Sequence, residues 1–166
     1  MSSATSAPST SANGPEPVVL LLSGPNLNLL GVREPEVYGR ATLADHVATA
    51  TAAAEAAGFR LEHVQANAEG ALVDAVHAAR GRVAAIVVNP GALTHYGWSL
   101  HDALAAFDGV IVELHLSNPN RREPWRHTSV VAPVAHGSIL GFGGHGYRLA
   151  VEAAILAVRE RGEVRA

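Results

Sequence analysis

The sequence predicts an α/β fold, a three-layer sandwich with helices on both faces of a five-stranded parallel sheet. Three observations predict it. Short, uninterrupted apolar runs such as PVVLLLS (17–23) and VAAIVV (83–88) are typical of strands buried on both faces. Stretches with helix caps and stops lie between these runs, so strands and helices alternate along the chain. A length of 166 residues, 48% of them hydrophobic, suits one domain with a real core.

The elements follow in order. Residues 1–16 (MSSATSAPSTSANGPE) are rich in Ser, Ala, Thr and Pro, which predicts a disordered N-terminal tail ahead of one catalytic domain at 17–166. The tail lacks a charged leader and an apolar core, so it does not read as a secretory signal. Pro17–Ser23 is the first strand. A helix follows from Thr42 to Ala57, with Thr42 and Asp45 placed for capping and Gly58 as its stop. Phe59–Gln65 is the second strand. Glu69–Arg80 is the next helix, capped by Asn67 and ended by Gly81. Val83–Val88 is the third strand. Trp98–Phe107 is a helix with Leu100, Ala103, Leu104 and Phe107 on one face. Val110–Leu116 is the fourth strand, Ser138–Phe142 the fifth, and a final helix runs from about Tyr147 to Arg161. About five parallel strands in this length suggest the flavodoxin-like strand order. Ligands of such sheets sit outside the carboxyl ends of the strands, so polar residues there are site candidates.

Composition narrows the chemistry. There is no cysteine, which excludes disulfides, thiol nucleophiles and cysteine-bound zinc. There is no lysine either; all twelve basic residues are arginines. Lysine Schiff-base chemistry, pyridoxal phosphate anchoring and a P-loop lysine are excluded with it. The net charge of −3 gives no electrostatic reason to expect nucleic acid or an anionic membrane as partner. No apolar run reaches membrane-spanning length, and a cytoplasmic location is expected.

Polar residues gather after three strands. After the first come GPNLNLLG (24–31), then Arg33 and Tyr38; a cation near a phenol favours phenolate, a base near neutral pH. A plain Gly/Pro/Asn turn would explain the loop equally well. After the third strand come Asn89-Pro90-Gly91-Ala92, Thr94 and His95. The Asn89 amide is expected in the crevice; a capping Asn and a loop His are the bland alternative. In the fourth strand, Glu113 and His115 are two apart and share a face. A carboxylate beside an imidazole can fix its tautomer and favour its charged form, although a satisfied buried histidine is also compatible. Ser117, Asn118 and the arginines at 121, 122 and 126 follow in the long loop SNPNRREPWRHTSV (117–130); irregular loops of that length are usually functional.

GFGGHG (141–146) fits G-x-G-x-x-G between a strand and a helix. The dinucleotide fingerprint also needs an acidic residue at the end of a following strand, and none follows here. These glycines read as close strand–helix packing and a tight turn.

Taken together, GPNLNLLGVREPEVYG, QANAEG, NPGALTH and VELHLSNPNRREPWRHTSVVAPVAHGSILGFGGHGY resemble, in order and with matching gaps, the motifs of type II dehydroquinases. The similarity runs from about residue 18 to 158. The resemblance implies anti elimination of water from 3-dehydroquinate to give 3-dehydroshikimate through an enolate, without metal or cofactor. By the same resemblance Tyr38 is the base for the C2 proton, Arg33 holds it as phenolate, and residues 29–39 form a lid. His115 is the acid for the departing C1 hydroxyl, and Glu113 orients it. Asn26 holds a water that stabilises the enolate. Asn89, Ser117 and the backbone N–H groups of Leu116 and Ser117 bind substrate, and His95 and Arg122 contact its ring hydroxyls. Asp102 reaches the substrate of a neighbouring subunit in a homododecamer, a tetramer of trimers. Ala66, Ala68, Tyr96-Gly97-Trp98 and His101 depart from the family pattern near the implied subunit contact, while every residue with a proposed chemical role is in place.

Residue chemistry agrees, because dehydration beta to a ketone needs a base, an acid and an enolate stabiliser. Two other readings remain compatible with the residues: a non-catalytic flavodoxin-like protein that binds a nucleotide or flavin, and a dehydratase for another cyclic hydroxy-ketone acid. The first calls for a hydroxyl-rich loop after the first strand, which GPNLNLLG is not.

Overall fold

A computed structural model describes residues 14–32 and 35–165; the side chains of Pro35, Tyr38 and residues 163–165 lie outside that description. The expected tail falls mostly outside it too, and residues 14–16 are exposed without regular structure.

The chain alternates as expected. β1 (Val18–Ser23) leads to a short helix α1 (Pro35–Tyr38) and then to α2 (Leu43–Ala56). β2 (Arg60–Gln65), α3 (Glu69–Ala79), β3 (Ala85–Asn89), α4 (Trp98–Ala105) and β4 (Val110–His115) follow. β5 (Gly137–Leu140) and α5 (His145–Arg165) close the domain. All strand pairs are parallel and the order is β2-β1-β3-β4-β5, the flavodoxin-like arrangement. Among the described residues no helix is long and apolar enough to cross a membrane.

Alternating side chains of the central strands feed two cores. Val19 and Leu21 of β1, Val87 of β3 and Val112 and Leu114 of β4 pack under α2 and α5, with Ala50, Ala54, Tyr147 and Val151. Leu20, Leu22, Ile86, Val88 and Ile111 point the other way, against Leu72 and Val76 of α3 and Leu100 and Leu104 of α4. Burial on both faces explains why these strands read as unbroken apolar runs.

The α2 start is a reciprocal capping box. The Asp45 N–H donates to Thr42 Oγ1 at 3.2 Å, and the Thr42 N–H donates to Asp45 Oδ2 at 2.8 Å. The start of α3 differs from expectation. Its N-cap is Ala68, which has no side-chain cap, because the Asn67 Oδ1 accepts from the Asn26 backbone N–H at 2.9 Å and from Gln65 Nε2 at 3.1 Å. The amide expected to cap a helix holds the loop after β1 instead. Elsewhere the differences are at boundaries: α4 ends at Ala105 rather than Phe107, β5 spans Gly137–Leu140 rather than Ser138–Phe142, and α5 begins at His145. The long loop after β4 holds three short 3-10 turns.

Close approach requires glycine at several positions, among them Gly24 and Gly144. A Cβ on Gly24 would lie 2.4 Å from the Pro90 carbonyl oxygen, so only glycine lets the loops after β1 and β3 meet. A Cβ on Gly144 would lie 2.6 Å from the His46 ring, between α2 and α5. The glycine-rich segment before α5 thus serves close packing, as its context predicts.

Candidate active site

Parallel strands carry their C-terminal ends to one edge, and the side chains there line a cavity of about 110 Å³. It contains Asn26 from the loop after β1, Asn89 and His95 from the end of β3 and its following turn, and His115, Leu116, Ser117 and Arg122 from β4 and its loop. Seven of the residues to which the resemblance gives a role are therefore brought together. Glu113 stands behind His115. Arg33 and the Tyr38 side chain lie outside the described residues; the Tyr38 backbone ends α1. Asp102 is exposed on α4 and does not line the cavity of its own chain.

Asn26 adopts a left-handed conformation with φ 68, alone among the described non-glycine residues. Such geometry is costly unless the surroundings fix it, and it concentrates at functional sites. Here the Asn67 side chain fixes it through the Asn26 N–H. Asn89 is 2% exposed. Its Nδ2 donates to the Tyr147 hydroxyl at 3.5 Å and its Oδ1 accepts from the Gly91 N–H at 3.3 Å, which orients the amide. Burial pushes the Tyr147 phenol up to about 12, partly offset by Asn89, so it stays neutral there.

His115 and Glu113 form a buried pair, Nε2 to Oε1 at 2.9 Å. A carboxylate can only accept, so His115 carries a proton on Nε2 and leaves Nδ1 for the cavity. Burial alone would raise the Glu113 carboxyl, but hydrogen bonds from His115, Thr94 and Ser129 outweigh it and hold the group below its ordinary value. His95 is fixed similarly: its Nδ1 donates to the Thr128 carbonyl at 2.7 Å, with its ring edge-on to Trp125. Arg122 Nη1 reaches Ser117 Oγ at 3.5 Å.

Ser129, Ser138 and Tyr147 were not singled out from sequence, and Thr94 and Arg126 were noted there without a role. Thr94, Ser129 and Ser138 surround Glu113, Tyr147 supports Asn89, and Arg126 lines the cavity. Hydroxyls carry little signal of their own; what identifies them is proximity to a carboxylate 16 to 25 residues away.

Such an arrangement can transfer a proton from a charge-paired imidazole to a polar ligand held by amides and an arginine. Comparison with known proteins narrows this further. Residues 17–155 match the family described as dehydroquinase class II. A "3-dehydroquinate dehydratase 2" of Pseudomonas aeruginosa is 57% identical over 134 residues, 81% of this chain and 90% of that protein. A "catabolic 3-dehydroquinase" of Aspergillus clavatus is 51% identical over 146 residues, 88% of this chain and 97% of the other. The crystal structure of a type II dehydroquinase from Butyrivibrio crossotus superimposes with a TM-score of 0.82 at 38% identity, covering 85% of this chain and 99% of that one.

Proposed function

The chain belongs to the class II dehydroquinase family, and from that premise we propose how its own residues carry the reaction. It dehydrates 3-dehydroquinate to 3-dehydroshikimate in the shikimate or quinate pathway. Tyr38, as phenolate beside Arg33, removes the C2 proton, and the electron pair moves into an enolate. A water held by Asn26 donates to the enolate oxygen. When the enolate collapses, the C1–O bond breaks and His115 delivers its Nδ1 proton to the departing hydroxyl, which leaves as water. Glu113 stabilises the doubly protonated imidazole beforehand. Proton exchange with solvent then returns Tyr38 to phenolate and His115 to its charged form.

Substrate is held by Asn89, by Ser117 with the backbone N–H groups of Leu116 and Ser117, and by His95 and Arg122 at its ring hydroxyls. Residues 29–39 close over it; Gly31 and Gly39, with φ of 87 and 81, stand near the ends of this lid. A neighbouring subunit contributes Asp102, in a dodecamer of four trimers working in the cytoplasm. Tyr96, just before α4, and Trp98, its first residue, are 59% and 63% exposed and supply apolar surface for such a contact.

The observation that carries the reading is the His115–Glu113 pair standing in one cavity with Asn26 and Asn89. The test is the rise in enone absorbance when 3-dehydroquinate is added to EDTA-treated protein. A rise supports metal-free dehydration; a flat trace from folded protein sinks it. Borohydride with substrate should cause no inactivation, because a chain without lysine has no side-chain amine to form the imine that hydride would trap.

A further inference from the structure

Glu113 is enclosed by hydroxyl groups as well as by His115. The Ser129 Oγ accepts the N–H groups of Val131 at 3.1 Å and Ala132 at 2.9 Å. Those bonds occupy both its lone pairs, so its one proton is directed to Glu113 Oε1, 2.9 Å away. Thr94 Oγ1 lies 3.0 Å from Ser129 Oγ, which has no lone pair left for it, and also donates to Oε1. Ser138 is opposite Glu113 in the β4–β5 register and donates to Oε2 at 3.3 Å. A protonated Glu113 would need an acceptor for its own hydrogen. Ser129 is already locked as a donor and cannot supply one.

We propose that Ser129, assisted by Ser138 and Thr94, is a positioning residue for the proton donor: it holds Glu113 as an anion aimed at His115 Nε2, so the proton that moves is the one on Nδ1. The inference rests on the assignment of His115 as the acid made above. The hydroxyls have a second effect. By drawing charge from the carboxylate they keep it from binding the imidazolium proton too tightly, and the pair remains a usable acid. Removing a donor makes the carboxylate more basic. The pair then releases its proton less readily, turnover slows, and the alkaline limb of the pH–rate profile moves to higher pH. The other charged or titratable groups facing the pair are His95 from the turn after β3, and Arg122, Arg126 and His127 from the loop after β4. None is altered by changing the serines.

The experiment is a set of pH–rate profiles on the assembled enzyme for wild type, Ser129→Ala, Ser129→Thr, Ser138→Ala and His115→Asn. In Ser129→Ala, kcat should fall about tenfold, as expected for one hydrogen bond to a charged group, with KM nearly unchanged. Its alkaline limb should move up, and Ser129→Thr should restore both. Ser138→Ala should show the same direction with a smaller change. It leaves the backbone N–H bonds to Ser129 intact and decides the matter if Ser129→Ala does not fold. Wild-type turnover in His115→Asn would overturn the acid assignment and this inference together. An inactive His115→Asn, with the alkaline limb unmoved in both serine variants, would overturn this inference alone.

Discussion

In the proposed reaction Tyr38 and Glu113 stand at opposite ends of the proton transfers. Replacing the proposed base, Tyr38→Phe, should reduce turnover by about 10³-fold or more while the fold persists. Enone formation measured beside calorimetric binding of substrate separates the two, and substantial residual activity would move the base elsewhere. Glu113 also links the site to stability. Its carboxyl is held below its ordinary value of 4.5, so its contribution is present above that value and is lost as pH falls through the lower value of the folded state. Glu113→Gln should therefore be less stable than wild type at neutral pH, by about 1–3 kcal/mol for a buried hydrogen-bonded charge. The gap in urea midpoints should narrow as pH falls below 4.5. A gap independent of pH would contradict this linkage.

Between elements, the contact of α2 with α5 is where the fold carries an unspent cost. His46 stacks on Tyr147 with centroids 4.8 Å apart and planes 7° apart, and its Nε2 is buried without a hydrogen-bond partner. Burial lowers His46 from its ordinary 6.5, with Asp45 pulling weakly the other way. A depressed folded value means that stability is present above 6.5 and falls as pH drops from there through the folded value. His46→Phe should keep the stack, remove the orphaned nitrogen and raise stability by about 1 kcal/mol. The advantage should widen below pH 6.5, as read by thermal melts across that range. Gly144→Ala should act oppositely. Its methyl would meet the His46 ring at 2.6 Å, and overpacking of that kind costs about 1–3 kcal/mol.

At the scale of the whole molecule, Tyr96, Trp98 and Asp102 are exposed together at and just before α4. The proposed dodecamer places that side near a neighbouring subunit. Light scattering on the eluting protein should give twelve times the chain mass, and Asp102→Ala should raise KM with little effect on kcat. A fully active monomer would remove both the assembly and the role of Asp102.

How much of this was legible beforehand differs by level. Sequence by itself determined the alternation of strands and helices, because doubly buried strands must be continuous apolar runs and helix ends must satisfy their free N–H groups. It also placed Asn26, Asn89, His95 and His115 at strand ends, which a parallel sheet necessarily gathers at one edge. Lysine's absence removed lysine imine chemistry outright. Tertiary structure alone decided what each side chain is spent on. Asn67 looked like a helix cap and instead holds the Asn26 backbone. Ser129 and Ser138 carried no signal in the sequence, and in the fold they donate to Glu113. The physical reason is range. Caps and periodicity are set by neighbours within a few residues. A hydrogen bond between positions 41 apart, such as that of Asn26 and Asn67, exists only once the sheet has brought two loops together.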